Sequence, residues 1–225
     1  MADLIPPKAP NLLVAPTQYE PRYVDQLNSV QRLYYNTIDN GLASLYGPLG
    51  GKFLNIPHIA ASDTTDQYAT GNNTPTVVAW STLDSGAGWT LNSPGSATPA
   101  QTGVYKITYS AQLANTDNAI HDAIVWLRVN GSASANDVVN STTIFTLQAR
   151  KSALLPNFVC GYSEVVFTLN AGESVGLWWG TDQAATSGGA TGIYMYALAA
   201  QTSPMAYPAT PSALGSITFV SALPS

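Results

Sequence analysis

Two periodicities divide the chain. Across "YEPRYVDQLNSVQRLYYNTIDNG", Tyr19 to Gly41, apolar residues fall at Val24, Leu27, Val30, Tyr34 and Ile38. Steps of three and four are helical spacing, so this stretch is predicted to be one amphipathic helix. Thr17 and Glu20 fit a capping box. Pro21 falls in the first turn, where its missing N–H costs little, and Asn40-Gly41 reads as a C-cap. From Lys52 onward the period changes to two. "KFLNIPH", "TPTVVAW" and "GWTL" read as strands, with "STLDSGA" as a separator and "SPGSATPAQTG" as a turn-rich loop. "GVYKITYSAQLAN" alternates most cleanly, with Tyr105, Ile107, Tyr109 and Ala111 on one face and Lys106, Thr108 and Ser110 on the other. "DAIVWLRVNGS", "NSTTIFTLQAR", "NFVCGYSEVVFTLNAGE", "SVGLWWGTD", "ATGIYMYALAA" and "GSITFVSAL" follow. About ten strands separated by Asn, Gly, Ser and Pro predict an all-β antiparallel sandwich or barrel with Greek-key connections.

Several strands do not alternate. "LWW", "IYMYAL" and "AIVWL" are apolar on both faces, unlike a sheet with one face in water. Leu33 and Tyr35 make the helix apolar on more than one side. A helix this short is marginal alone and needs a partner, either the β domain or sister helices. Tyr34 is bulky for a two-stranded seam and fits a three-stranded one better. The surplus apolar surface predicts burial against copies of the same chain.

Composition strengthens that picture. Of 225 residues 45% are hydrophobic and only 9% charged, against roughly 25% charged in an ordinary domain. So neutral a surface fits one largely covered by neighbours. The net charge of −5 leaves no basic stripe, so no nucleic-acid partner is expected. No apolar run reaches the roughly 20 residues of a membrane span, so no membrane partner is expected either. The leader "MADLIPPKAPNLLVAP" lacks a signal-peptide pattern. Its prolines predict an extended arm over residues 1–16, with Leu4, Ile5, Leu12, Leu13 and Val14 suited to lie in a groove. The organisation expected is an arm (1–16), a docking and trimerisation helix (17–46) and a β domain (52–225).

Candidate chemistry is sparse: no catalytic residue, cofactor motif or metal-ligand set is assigned. His121 and Asp122 are adjacent, so on a strand they point to opposite faces and make a poor acid–base pair. His58, His121 and Cys160 lack metal-ligand spacing. Cys160 in "NFVCGYSEVVF" reads as a small buried hydrophobe. Asp63, Asp66, Asp84, Asp117 and Asp182 are oxygen donors, but no loop spaces them for a cation. Trp80 and Trp89 flank a loop and read either as packing at the edge of the core or as a stacking site for glycan. "GTDQAATSGGATG" reads as a polar contact loop.

Two resemblances add to this. "TGVYKITYSAQL" and "LNAGESVGLWWG" resemble strands of the trimeric jelly rolls of the tumour-necrosis-factor and complement globular-head type. "SITFVSAL" sits where the last, central strand of those folds lies. Glu173 departs from the Asp usual in their hairpin, and Thr218-Phe219 from their closing aromatic pattern. The resemblance implies a jelly roll. At the two ends, "LLVAPTQYEPRYVDQLNSVQRLYYNTIDN" and "AAQTSPMAYPATPSALGSITFVS" resemble structural virion proteins of tailed phages of aquatic bacteria. That implies a homotrimeric capsid decoration (cement) or head-fibre protein in the virion, assembled in the host cytoplasm. Its partners would be itself and the major capsid protein or another virion protein. The alternative is a tail-fibre or receptor-binding protein contacting host surface glycan.

Overall fold

The computed structural model describes residues 10–11, 18, 21–46, 56–92, 94–153 and 155–223. The chain divides into two units, Met1–Asn55 and Ile56–Ser225. In the first, α1 spans Pro21–Tyr46, with proline at its opening position, where an N–H would have no helical acceptor anyway. Thr17 and Glu20 lie outside the described residues. The helix does not stop at Asn40-Gly41 as expected. A glycine inside a helix costs only about 1 kcal/mol, and the Leu, Ala and Leu that follow are good helix formers, so the ladder runs on past Gly41.

The second unit is a jelly-roll sandwich of two antiparallel sheets. In chain order its strands are β1 (His58–Asp63), β2 (Gln67–Tyr68), β3 (Thr76–Val77), β4 (Thr82–Ala87), β5 (Trp89–Asn92), β6 (Ser96–Pro99), β7 (Gly103–Asn115), β8 (His121–Val129), β9 (Thr143–Leu147), β10 (Asn157–Leu169), β11 (Val175–Thr181), β12 (Ile193–Met195) and β13 (Ala213–Ser221). Sheet I runs β2-β12-β7-β13-β1-β4, with β10 on the other side of β7. Sheet II runs β5-β6-β11-β8-β9, with β3 also paired to β11. As expected for "SITFVSAL", β13 lies in the middle, between β7 and β1.

Several short elements differ from the sequence reading. The first described strand starts at His58, at the end of "KFLNIPH"; residues 51–55 lie outside the description. "STLDSGA", read as a separator, holds β4, an exposed edge strand whose polar residues conceal it from hydrophobic patterning. "SPGSATPAQTG" contains β6, whose alternation rests on Ala97 and Pro99, too small to register.

The core lies between the sheets. Tyr105, Ile107, Tyr109, Leu113, Ile193, Met195 and Ile217 of sheet I meet Val125, Leu127, Val175, Leu177 and Trp179 of sheet II. Trp80 joins them, only 3% exposed. Gly215 makes room for it: a Cβ there would stand 2.4 Å from the Trp80 ring. Gly215→Ala therefore forces a rigid indole to move. Overpacking of this kind costs about 1–3 kcal/mol, and a lower urea midpoint with an unchanged m-value is the expected readout.

Candidate functional site

Four large apolar side chains left in solvent, Phe158, Tyr162, Val166 and Leu214, share the outer face of sheet I. Directly paired residues on neighbouring antiparallel strands point to the same side, so the register defines this face row by row. One row reads Tyr162, Ser110, Leu214, Ser62 and Thr82 from β10 across to β4. The next reads Glu164, Thr108, Ser216, Ala60 and Ser85, and the one beyond it Val166, Lys106, Thr218 and His58. Tyr162 is 62% exposed and Val166 57%. Tyr162, Leu214, Ala60, Thr108, Ser110 and Ser216 line a shallow depression of about 280 Å³. The Asp84 carboxylate also borders the depression, and beside it Lys106 and Glu164 pair with each other at 3.5 Å.

Toward β2 the same face becomes aromatic. Phe158, Ala114, Tyr194 and Tyr68 form one row. Tyr194 stacks on Tyr68, and Phe158 packs against Tyr196. Burial, with the nearby Asp66 carboxylate, pushes the Tyr194 hydroxyl up to about 12. "IYMYAL" is thus apolar on both sides because Ile193 and Met195 fill the core and the tyrosines pack on one another outside.

β10 is also an edge. It follows β7 in an unbroken register from Asn157 to Leu169, and among the described residues its other side makes no backbone hydrogen bond. Such an edge, long and apolar, is a template for another chain. Cys160 lies here, opposite Gln112, and is exposed rather than buried. Both phases of "NFVCGYSEVVF" are apolar, so the alternation cannot say which faces inward. The structure buries the Phe167 phase and turns Phe158, Cys160, Tyr162 and Val166 outward.

Part of the outer face of sheet II is covered by its own chain. Arg128, 3% exposed, lies 4.3 Å from the Trp178 ring centroid and donates from Nε to Asp137 at 2.6 Å. Trp126 donates from its indole nitrogen to the same carboxylate oxygen at 2.7 Å. Arg128 and Trp126 hold the Asp137 carboxyl below its ordinary value, with burial opposing them. Of the apolar outer residues of "LWW" and "AIVWL", Trp178 and Trp126 are covered by Arg128, while Ile124 pairs with the exposed Ile144.

Neither tryptophan proposed for glycan contact is placed to offer an open ring. Trp80 is in the core, against β13. Trp89 is half-buried, edge-on to Tyr105 at 5.0 Å.

The sequence reading missed one ionic cluster. Both ring nitrogens of His121 lie 2.9 Å from carboxylate oxygens, Nδ1 from Asp182 and Nε2 from Asp117. Two acceptors need two N–H donors, so the geometry selects the imidazolium. Burial lowers the His121 pKa, but the hydrogen bonds and charges of Asp182 and Asp117 outweigh it, and the net shift is upward. His121 holds Asp117 low, as does the Asn118 N–H; Asp182, raised by burial, is brought low by His121 and the Asp122 N–H. The cluster ties the β7–β8 loop to the "GTDQAATSGGATG" loop, with Thr191 donating to Asp117. The signs give a pH window. The histidine's contribution is complete below its unfolded pKa of about 6.5 and is lost as pH rises through the higher folded value. The aspartates' contribution is present above 3.8 and is lost as pH falls below it. Thermal midpoints should therefore fall as pH rises above about 6.5, and less so in His121→Gln.

The remaining loop acids serve local bonds: Asp63 accepts from Thr65, Asp84 from Ser62 and Asp66 from the Ala197 N–H. No group of His, Cys, Asp or Glu among the described residues is arranged to hold a metal ion. In α1, Val24, Leu27, Val30, Tyr34 and Ile38 are half-buried, while Leu33, Tyr35 and Leu42 are exposed. The arm residues Leu4, Ile5, Leu12, Leu13 and Val14 lie outside the described residues. No described helix is long and apolar enough to cross a membrane.

No family model and no curated protein matches the sequence. Among solved structures, the chain is similar to the globular domain of a zebrafish complement 1qA protein. Identity is 14%, the TM-score is 0.44, and the match covers 73% of this chain and 97% of that one.

Proposed function

We propose that this chain is a homotrimeric structural protein of a virion, a capsid decoration or head-fibre subunit whose arm and helix dock it on the particle. The outer face of sheet I, with its open β10 edge, is the observation that supports self-association. Phe158, Tyr162, Val166 and Leu214 stand exposed on it among Ser and Thr hydroxyls, and exposed apolar side chains gathered on one face mark an interaction surface. Lys106 and Glu164 neutralise each other, so burying this face against a different surface of a neighbour leaves few charges to desolvate. In a ring, each subunit uses two different surfaces toward its two neighbours. The sheet face and the β10 edge supply such a pair, and so do the stripe of α1 and its off-stripe Leu33 and Tyr35. The virion assignment draws on the resemblance of the chain's two ends, and the major capsid protein is the partner it implies. Light scattering on the purified full chain tests the reading: three times 23.6 kDa is expected, and a single-chain mass overturns it.

A further inference from the structure

On sheet II, away from the face proposed for self-association, Arg128, Trp178, Gly176, Ser96, Ser132 and Ser174 line a pocket of about 370 Å³. We infer that this pocket binds one uncharged sugar ring. The volume lies in the range of small-ligand sites, roughly 300–1,000 Å³. The lining carries the groups a sugar requires. Trp178 is half-buried, its ring stacked with Arg128 at 4.3 Å, and brings to the border its indole edge, whose N–H donor is unused among the described residues. Three serines contribute hydroxyls that form no hydrogen bond with other described residues, each able to donate and accept. Arg128 is almost wholly buried, yet its fork is only partly used. Nε donates to Asp137 and Nη1 to the Ser132 carbonyl, while Nη2 has no acceptor among the described residues. A buried guanidinium with donors to spare, at the wall of a pocket, is prepared for an oxygen-bearing guest. Gly176 keeps the space open: a Cβ there would come within 3.2 Å of the Gly95 carbonyl oxygen and 3.5 Å of the Trp178 indole nitrogen.

The charge balance selects the class of guest. Asp137 already compensates Arg128, so the wall is formally neutral and offers a carboxylate no net positive charge to offset its desolvation. A neutral ring with several hydroxyls satisfies the serines and Nη2 without that penalty.

The test is a tryptophan-fluorescence titration of the full chain with the methyl glycosides of glucose, galactose, mannose and N-acetylglucosamine, and with glucuronate. A saturable change with at least one neutral glycoside, half-complete in the millimolar range, is expected. Ser174→Leu and Ser132→Leu, which push a side chain into the pocket from partly or fully exposed positions, should each weaken it by more than about tenfold. Their unfolding midpoints should stay near wild type. Val166→Lys, on the opposite sheet, should leave binding unchanged, which separates this site from the self-association face. A response that never saturates, one indifferent to both leucine variants, or one stronger for glucuronate than for every neutral glycoside overturns the inference.

Discussion

Val166→Lys and Tyr162→Lys are expected to convert the protein to single chains of 23.6 kDa while leaving its fold intact. Both side chains stand on the outer face of β10 and are largely in solvent in the isolated chain. Substitutions at such positions usually change stability by no more than about 0.5 kcal/mol. In an assembly the same lysines would be buried, once per subunit, in a face that already holds Lys106, Glu164 and Asp84. Bringing like charges together in an interface costs several kcal/mol, enough to empty a micromolar complex. Light scattering reads the mass directly. Cys160 offers a second readout from within the patch: alkylation should be slow in the wild type and fast in either variant. Equal alkylation rates with an unchanged mass would place the contact elsewhere.

Asp137→Leu should produce the largest loss of stability among single surface-loop substitutions. It removes the compensating carboxylate from Arg128, whose side chain is 2% exposed, and at the same time the acceptor of the Trp126 N–H. Breaking a buried ion pair by removing one partner costs about 3–5 kcal/mol. Asp137 is itself 37% exposed, so water can reach part of the vacated site and the lower end, about 3 kcal/mol, is expected. In a unit of this size that lowers the melting midpoint by about 6–12 °C. Adding Arg128→Met should recover most of the loss, because a matched apolar replacement is often neutral or stabilising. Asp137→Asn, which keeps an acceptor, should fall between. A urea series on the four proteins separates the charge from the packing; equal midpoints for Asp137→Leu and wild type would mean that the guanidinium is solvated after all.

The sequence disclosed the long elements and concealed the small ones. β7 was legible because its inward Tyr105, Ile107 and Tyr109 are large and alternate with Lys106, Thr108 and Ser110, and β8 because it is a long run rich in branched residues. β4 and β6 were not, since an exposed edge and a strand of alanine and proline carry too little apolar contrast for any period to emerge. The outer sheet I face was half legible. Excess apolar residues were evident in the count, and "IYMYAL" pointed to the aromatic end of this face, but β10 was not singled out. "LWW" and "AIVWL" drew attention through tryptophans that Arg128 covers, a contact to which hydrophobic patterning is blind. β10, with both phases apolar, gave no sign of which would face out. Cys160 was misplaced for the same reason. The His121 cluster was missed because only its neighbour in sequence, Asp122, was considered. Asp182 lies far away in the chain and meets His121 through the pairing of β8 with β11.

The place of β13 has a consequence for synthesis. It follows every other strand in the chain, yet it fills the centre of sheet I, hydrogen-bonded to β1 on one side and β7 on the other. Until it leaves the ribosome, the nascent polypeptide holds two half-sheets with a slot between them and a hydrophobic interior it cannot seal. Closure must wait for the whole translated domain, and loop-closure entropy makes such distant pairings slow. During that interval the unfilled slot and the free rim of β10 are both open to passing strands, a period in which a chaperone or a low local concentration would decide yield.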